Sequence, residues 1–254
     1  MKIFAIKENN NPKEIGYLFY YEKCKEFYIE LLDGLSEWDI PMLLATLYKK
    51  GERTILDYWS RRWVCQRVVP SDRQNIGQIL KDNNLKFYDE FDLLCISKGR
   101  CEQDNFYLET IKISNLPKDI VERREKRIQN VIKVREDKLF VFFKNNVIKE
   151  FKILNKQKGN IDLLVDGYGI IINGQDVITS EKLYQEGKIL PITVDEILIL
   201  INDNIVNTKE AMQLLNCSRQ YINELVKNSI LHPIKNYDKT TIFLKSEVLK
   251  VNNF

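Results

Sequence analysis

The stretch "NTKEAMQLLNCSRQYINELVKNSIL", residues 207–231, contains two amphipathic helical patterns separated by a very short turn. Asn207 and Glu210 have the three-residue spacing of a capping box, which predicts that a helix begins there. Asn216 tolerates the left-handed backbone of a tight turn, and Ser218 is a good N-cap for a second helix. The stretch therefore predicts two helices that meet at a short turn.

The second of these helices would have one apolar and one polar face. Ile222, Leu225 and Val226 recur at helical spacing and are expected to pack inward. Arg, Gln and Asn near a helix N-terminus are side chains that reach guanine and adenine edges in the major groove. Tyrosine can contact a phosphate or a thymine methyl. The predicted DNA contacts on this helix are Arg219, Gln220, Tyr221, Asn223 and Lys227.

A basic hairpin follows the two helices. Residues 229–251, "SILHPIKNYDKTTIFLKSEVLKV", predict a strand, a basic turn, a second strand and a short final helix. Such a hairpin could act as a wing, with Lys235 and Lys239 placed for phosphate contacts. We therefore predict that residues 193–254 form a DNA-binding domain.

The same segment resembles the excisionase/MerR-like winged helix-turn-helix family. Asn216 and Ser229 depart from the family pattern, which usually has glycine at both positions. The resemblance implies binding to double-stranded operator DNA; two amphipathic helices packed in a core or a protein interface are the alternative. The residues that match the family pattern are Asn207, Glu210, Ala211, Leu214, Leu215, Ser218, Ile222, Leu225, Val226 and Leu231.

Charge is unevenly distributed along the 254 residues, although the net charge is only +3. Residues 118–158 contain 13 Lys/Arg against 6 Asp/Glu, and residues 205–254 contain 7 against 4. These are the segments that a polyanion could contact. The five cysteines form no CxxC pair, and no apolar run approaches the roughly 18–20 residues of a membrane helix. We expect a cytoplasmic protein with no membrane partner.

Motifs typical of catalysis or metal binding were not found in the sequence. His232 is the single histidine, and no second histidine is present to share a metal. The glycines of "DGYGIIING", residues 166–174, precede a strand and a turn rather than the helix N-terminus that a phosphate cradle needs. Asn173-Gly174, at the end of this stretch, predicts a hairpin turn. We predict a protein that is not an enzyme and has no catalytic residue, metal or cofactor.

The middle of the chain is predicted to be a charged helical connector, residues 118–130, followed by a small β-rich domain, residues 131–192. "KLFVFF", "IDLLVDGYGIIING" and "ITSEKLY" resemble a small uncharacterised family of bacterial domains often found before a helix-turn-helix. The resemblance implies only a fold and an adjacent helix-turn-helix in the same chain. Because one recognition helix covers few base pairs, we predict a homodimer, with "KLFVFF" at its contact surface.

Residues 1–117 predict a small mixed α/β domain, in which the two aromatic and β-branched runs around "EKCK", within residues 15–31, indicate a β-hairpin. The whole chain is assigned to the α+β class with several domains. The stretch from Arg67 to Leu108 resembles the N-terminal subdomain of HipA-type toxin kinases, although Arg67-Val68-Val69 and Asn105-Phe106 depart from that pattern. The kinase core itself is missing from the sequence. The matching residues are Pro70, Arg73, Asp89, Phe91, Leu93, Leu94, Gly99 and Asp104.

This second resemblance implies an antitoxin and autorepressor that binds its operator and a HipA-like kinase toxin. Interfaces concentrate their binding energy in aromatic and arginine side chains, so the expected kinase contacts are Trp59, Arg62, Trp63 and Arg67. The alternative for the two tryptophans is a place in the core. The alternative function is a non-enzymatic adaptor whose C-terminal helices contact protein and not DNA.

Overall fold

The computed structural model describes residues 1–9, 13–135, 137–153, 160–237 and 240–251. These residues form an α+β protein with four antiparallel sheets. None of the helices among them is long and apolar enough to cross a membrane. We group the elements into an N-terminal unit (up to residue 117), a middle unit (118–192) and a C-terminal unit (from residue 193).

The N-terminal unit is built on one five-stranded sheet. Its strands are β1 (Lys2–Glu8), β2 (Glu14–Tyr21), β3 (Glu26–Leu31), β4 (Thr54–Ile55) and β5 (Phe106–Thr110). Their order across the sheet is β4-β3-β2-β1-β5. The hairpin of β2 and β3 is the one predicted from the two aromatic runs around "EKCK". β1, which lies between β2 and β5, was not predicted.

Both faces of this sheet are covered, which explains why β2 and β3 are apolar almost throughout. One face packs against helices that contribute Leu44, Trp63 and Leu94 to its core. The other face carries Tyr17, Phe19 and Tyr28 and packs against the middle unit. The helices of the N-terminal unit are α1 (Met42–Lys49), α2 (Asp57–Cys65), α3 (Ile76–Asp82) and α4 (Glu90–Ser97).

The middle unit begins with α5 (Lys118–Glu125) and then has two small sheets. The first sheet has the strands β6 (Ile128–Arg135), β7 (Lys138–Phe143), β8 (Ile148–Lys152) and β12 (Lys188–Ile189), in the order β12-β8-β7-β6. The second has β9 (Ile161–Leu163), β10 (Gly169–Ile172) and β11 (Asp176–Thr179), with β10 in its centre. Asn173 and Gly174, both at positive φ, form the predicted hairpin turn. Helix α6 (Ser180–Glu186) follows.

The segment 118–130 is not an open connector. Its helix ends at Glu125, β6 begins at Ile128, and Ile120 is fully buried against the N-terminal sheet. Its arginines bind carboxylates: Arg123 pairs with Asp33, and the others enter the cluster described next. The expectation that this basic charge is available to a polyanion is corrected for these arginines, because their guanidinium groups are turned inward.

A buried polar cluster joins the N-terminal and middle units; we call it the junction cluster. Arg127 pairs with Glu30 of β3 and with Asp166, which also accepts hydrogen bonds from Tyr21 (2.7 Å) and Arg124 (3.0 Å). The Tyr168 hydroxyl donates to Glu30 at 3.2 Å. The opposite charge beside each buried charge offsets part of the free energy that its removal from water costs. Its members are Tyr21, Tyr28, Glu30, Arg124, Arg127, Lys144, Asp166 and Tyr168.

The predicted dimer surface at "KLFVFF" is corrected by the position of β7. This strand lies between β6 and β8, and Leu139, Val141 and Phe143 are completely buried in the core of the middle unit. An apolar strand in the interior of a sheet has no free surface to offer a second copy. The hydrophobic run was therefore a signal of core packing.

The C-terminal unit contains helices and a three-stranded sheet around one small core. In chain order its elements are α7 (Val194–Asn204), β13 (Ile205–Asn207), α8 (Thr208–Leu215), α9 (Arg219–Lys227), β14 (Lys235–Asn236), β15 (Thr241–Leu244) and α10 (Lys245–Val251). The sheet order is β13-β15-β14. Phe243 and Val248 are fully buried, and Ala211, Ile222 and Leu225 pack on them.

Candidate nucleic-acid interface

Helix α8 begins with the capping box predicted from the sequence. The Asn207 side chain accepts a hydrogen bond from the Glu210 amide at 3.0 Å, and the Glu210 carboxylate accepts one from the Asn207 amide at 2.8 Å. The helix start is also fixed to the sheet, because the Thr208 hydroxyl accepts from the Thr241 amide (2.9 Å) and donates to its carbonyl (3.2 Å). These bonds hold β15 and α8 in one position relative to each other.

The turn between α8 and α9 has the geometry that its sequence predicts. Asn216 adopts φ 48° and ψ 47°, the left-handed conformation that asparagine tolerates better than most residues. The partly buried Cys217 side chain packs on the core, and its burial raises the pKa of the thiol. Ser218 then caps α9 by accepting a hydrogen bond from the Tyr221 amide at 3.3 Å.

Helix α9 has a buried face and an exposed polar face. Ile222 and Leu225 are at most 4% exposed. Arg219, Gln220, Asn223 and Lys227 are all exposed, and at 100° per residue they fall within an arc of roughly 100°. Tyr221, which is 45% exposed, lies outside this arc. The arc therefore brings together four of the five predicted contacts on α9.

The hairpin of β14 and β15 supplies a second exposed basic position. Lys235 is exposed on β14, and its ammonium lies 5.0 Å from the ring centroid of Tyr237, which is itself 53% exposed. Tyr237 directly follows β14 and was missed, because an aromatic residue beside the predicted basic turn looked like an ordinary loop residue. Lys239, the other predicted wing contact, lies outside the described residues.

The side chains of this surface suit a polyanion that also exposes hydrogen-bonding groups, as the base edges of duplex DNA do. Arginine and lysine neutralise phosphates, while Arg219, Gln220 and Asn223 can also form paired hydrogen bonds with bases. Comparison of the chain with family models, with curated proteins and with solved structures gave no match. His232, the single histidine, has a contact within the C-terminal unit: its ring nitrogen lies 2.6 Å from the Glu247 carboxylate of α10.

The predicted partner-binding residues on and after α2 do not share one surface. Trp59 is 37% exposed, and Arg62 is exposed with its guanidinium over the rings of Trp59 and Tyr58. Trp63 is fully buried, and Arg67 packs over its ring and is only 3% exposed. Trp63 and Arg67 therefore cannot be surface anchors, which corrects their assignment. Tyr58, at 60% exposed, was missed.

The residues that carry the resemblance over 67–108 have roles in folding. Asp89 caps α4 by accepting from the Phe91 amide at 3.0 Å. Gly99 adopts φ 67° beside Leu108, where a Cβ would overlap that side chain. Asp104 pairs with the buried Arg67 and accepts from the Phe106 amide at 3.1 Å. These matches concern how the segment folds and do not identify a partner.

Proposed function

We propose that the C-terminal unit is a winged helix-turn-helix that binds duplex DNA, with α9 as its recognition helix. The observation that supports this most is the two-sided surface of α9. Its apolar face is held in the core, while its opposite face carries the side-chain types that distinguish base pairs in the major groove. A polar outer face is common to surface helices, so the proposal depends on the combination of Arg219, Gln220 and Asn223 near the start of α9, the residue types that pair with base edges.

In the proposed DNA-binding unit, the recognition helix and the wing make different contacts. Arg219, Gln220 and Asn223 contact base edges, and Lys227 and Lys235 contact phosphates. Glu224, exposed on the same helix, would repel phosphates and limit how deeply the C-terminal half of α9 can enter the groove. Sequence selectivity therefore comes mainly from the first turn of α9.

The test is selection of a binding site from a random duplex library, followed by titration of the full chain against the selected duplex at several salt concentrations. We expect Arg219→Ala to lose about 1–3 kcal/mol of discrimination at one base position. Lys235→Ala should weaken all duplexes about equally and reduce the salt slope by about 0.9. Lys118→Ala, which removes the same charge from an exposed position on α5, is the matched control. If no duplex is selected, or if Arg219→Ala and Lys235→Ala both bind like the wild type, the proposal fails.

We further propose that the protein is a transcriptional regulator whose N-terminal unit binds a protein partner. Tyr58, Trp59 and Arg62 form an exposed aromatic and arginine surface on α2, of the composition found at interface hot spots. A HipA-like kinase is the partner that the resemblance over 67–108 suggests, and an antitoxin and autorepressor is the corresponding role.

This part of the proposal is tested by co-purification with a HipA-like kinase encoded beside the gene. Arg62→Glu should abolish capture, whereas Arg100→Glu, a charge reversal at another exposed arginine of the same unit, should not. Failure of the wild-type chain to capture the kinase would end the antitoxin role and leave DNA binding standing. An adaptor that contacts only protein remains the alternative if the kinase is captured and no duplex is selected.

A further inference from the structure

A groove with a volume of about 590 Å³ lies between the N-terminal and middle units. The N-terminal unit contributes Asp33 and Arg53 to its lining, and the middle unit contributes side chains of α5, β8 and α6. The described residues that line the groove include none of the junction cluster and none of the proposed DNA contacts. Pockets of roughly 300–1,000 Å³ are of the size that binds small molecules.

Lys149 of β8 is a buried lysine at one end of this groove. It is only 7% exposed, and its nitrogen lies 4.2 Å from the ring centroid of Tyr184. The nitrogen donates to the Tyr184 carbonyl oxygen, which uses one of the three donors of an ammonium group. Lysines are almost never fully buried unless they are paired, yet Lys149 has no carboxylate among its partners in the described part of the chain. Its remaining donors are therefore available to an anion in the groove.

Lys126, at the end of α5, places a second ammonium group beside the same ring. Its nitrogen lies 5.7 Å from the Tyr184 ring centroid, and it too has no carboxylate partner among the described residues. Tyr184 is held in place, because its hydroxyl accepts from the Asn145 side-chain amide at 3.1 Å and its ring packs edge-on against Phe143. We call Lys126, Lys149 and Tyr184 the basic end of the groove.

The face of α5 that lines the groove changes from acidic to basic along the helix. At 100° and 1.5 Å per residue, Asp119, Glu122 and Lys126 fall within an arc of roughly 60°, and Asp119 is about 10 Å from Lys126 along the axis. Glu122 pairs with Lys118 at 3.5 Å, and Asp119 has no cation partner among the described residues. Asp119 and Glu122 therefore form an acidic end, whose carboxylates accept hydrogen bonds.

Two further carboxylates of the groove already have partners. Asp33 pairs with Arg53 at 2.8 Å and with Arg123 at 3.2 Å, and Glu181 accepts a hydrogen bond from the Thr54 hydroxyl at 2.7 Å. Because these two carboxylates are matched by two guanidinium groups, they add little net charge to the groove.

We propose that the groove binds a small organic anion, with its carboxylate or phosphate at the basic end and its hydroxyl or amine donors at the acidic end. Lys149 and Lys126 bind the anionic group from two different elements. Asp119 and Glu122 accept hydrogen bonds from the rest of the ligand, which distinguishes it from a bare ion. This site goes beyond the proposed DNA binding and does not depend on it.

The experiment follows the amide chemical shifts of the ¹⁵N-labelled full chain during titration with four probes. Ribose 5-phosphate and gluconate have an anionic group at one end and several hydroxyl groups, whereas inorganic phosphate and acetate have the anionic group alone. We expect saturable shifts at residues 126, 149 and 184 with at least one of the two-ended probes, and about tenfold weaker binding of the corresponding bare ion. The probe that binds shows whether phosphate or carboxylate is preferred.

Three variants test the roles of the two ends. Lys149→Met keeps the buried stem and removes the ammonium group, so it should weaken binding of the two-ended probe by about tenfold or more. Lys152→Met, at an exposed position of the same strand outside the groove, should bind like the wild type. Asp119→Ala should lower the affinity for the two-ended probe and leave that for the bare ion unchanged. The spectrum of each variant without ligand checks that it is folded.

The proposal is overturned if neither two-ended probe gives saturable shifts in the groove at up to about 20 mM, where a site with a millimolar Kd is filled. Equal effects of Lys149→Met and Lys152→Met, or bare ions that bind as tightly as the two-ended probes, would also overturn it. Shifts confined to α9 and β14 would assign the binding to the proposed DNA contacts instead. Because the shifts are read residue by residue, failure of this site is distinct from failure of DNA binding.

Discussion

The ring of Tyr168 stacks on the ring of Tyr28 with their centroids 3.9 Å apart and their planes 6° from parallel. The first residue belongs to the middle unit and the second to the N-terminal sheet, and both are buried. The hydroxyl of Tyr168 donates to Glu30, and burial raises the pKa of this tyrosine well above its ordinary value, so it remains a neutral donor. The contact makes the N-terminal and middle units share one core.

Truncation of Tyr168 should therefore destabilise both units together. Tyr168→Ala removes the stacked ring and the hydroxyl, and we expect a loss of about 3–5 kcal/mol in the free energy of unfolding. Tyr58→Ala, which removes an exposed ring from α2, should change stability by less than about 0.5 kcal/mol. Urea unfolding followed by tryptophan fluorescence, with Trp63 buried in the N-terminal unit, measures both. Equal losses in the two variants would contradict a shared core.

The buried pair of Arg127 and Glu30 should show strong coupling. Arg127→Met leaves the fully buried Glu30 without its cation, which should cost about 3–5 kcal/mol. The double variant Glu30→Met/Arg127→Met removes both charges and should recover a large part of that loss. A double-mutant cycle in urea measures the coupling energy. Simple additivity of the two single losses would show that the pair does not interact in the way its geometry indicates.

Asp166 should make the junction sensitive to acid. Burial opposes its ionisation, but the hydrogen bond from Lys144 and the charges of Arg127 and Arg124 outweigh burial and lower its pKa. Its ionised form therefore stabilises the native state above the unfolded pKa of about 3.9, and this stabilisation disappears as the pH falls through the lower native pKa.

Comparison of the wild type with Asp166→Asn tests whether the stabilisation by ionised Asp166 is lost as the pH falls. Asparagine tolerates the positive φ of 51° at this position, so the substitution changes charge with little backbone strain. The difference in unfolding free energy between the two proteins should be largest near pH 6 and shrink below about pH 4. A difference that stays constant across this range would assign the effect to packing instead of charge.

The elements that were predicted correctly are those fixed by neighbouring residues. The capping box of Asn207 and Glu210, the Asn173-Gly174 turn and the β2–β3 hairpin each depend on local backbone preferences. The exposed face of α9 was also predictable, because 100° spacing decides which side chains share a side.

The junction cluster could not be predicted, because its partners are far apart in sequence. "ERREKR" looks like a solvated charge run unless Glu30 and Asp166, the carboxylates that bind its arginines, are known to lie beside it. The same limit applies to Trp63 and Arg67: aromatic and arginine composition suggested an interface, while Asp104, 37 residues away, makes burial of Arg67 possible.

Gly167 and Gly174 provide a matched pair for backbone packing. Both have positive φ, 75° and 70°, but a Cβ on Gly167 would lie 1.9 Å from the Ile128 carbonyl oxygen, whereas none of the described atoms lies within 4 Å of one on Gly174. Gly174→Ala should cost about 1–2 kcal/mol from strain alone. Gly167→Ala should cost at least ~1–3 kcal/mol more, because β6 must shift. Thermal unfolding of the two variants measures the difference, and equal losses would show that β6 yields freely.

The cap of α9 should link the stability of the C-terminal unit to DNA affinity. Ser218→Ala removes the oxygen that accepts the Tyr221 amide, which should cost about 1 kcal/mol and loosen the first turn of α9. That turn holds Arg219 and Gln220, so affinity for a selected duplex should fall by up to about fivefold. Ser218→Asp retains a capping oxygen but adds a negative charge facing phosphates, so it should keep the stability and still weaken binding.

Thr179→Ala is the matched control, because Thr179 caps α6 of the middle unit by accepting from the Lys182 amide at the same distance of 3.3 Å. It should lose a similar amount of stability and bind the duplex as tightly as the wild type. Fluorescence anisotropy at fixed salt and temperature, under conditions where all variants are folded, gives the affinities. If Ser218→Asp binds like the wild type, the start of α9 does not face the phosphate backbone, and the recognition role must be assigned to another surface.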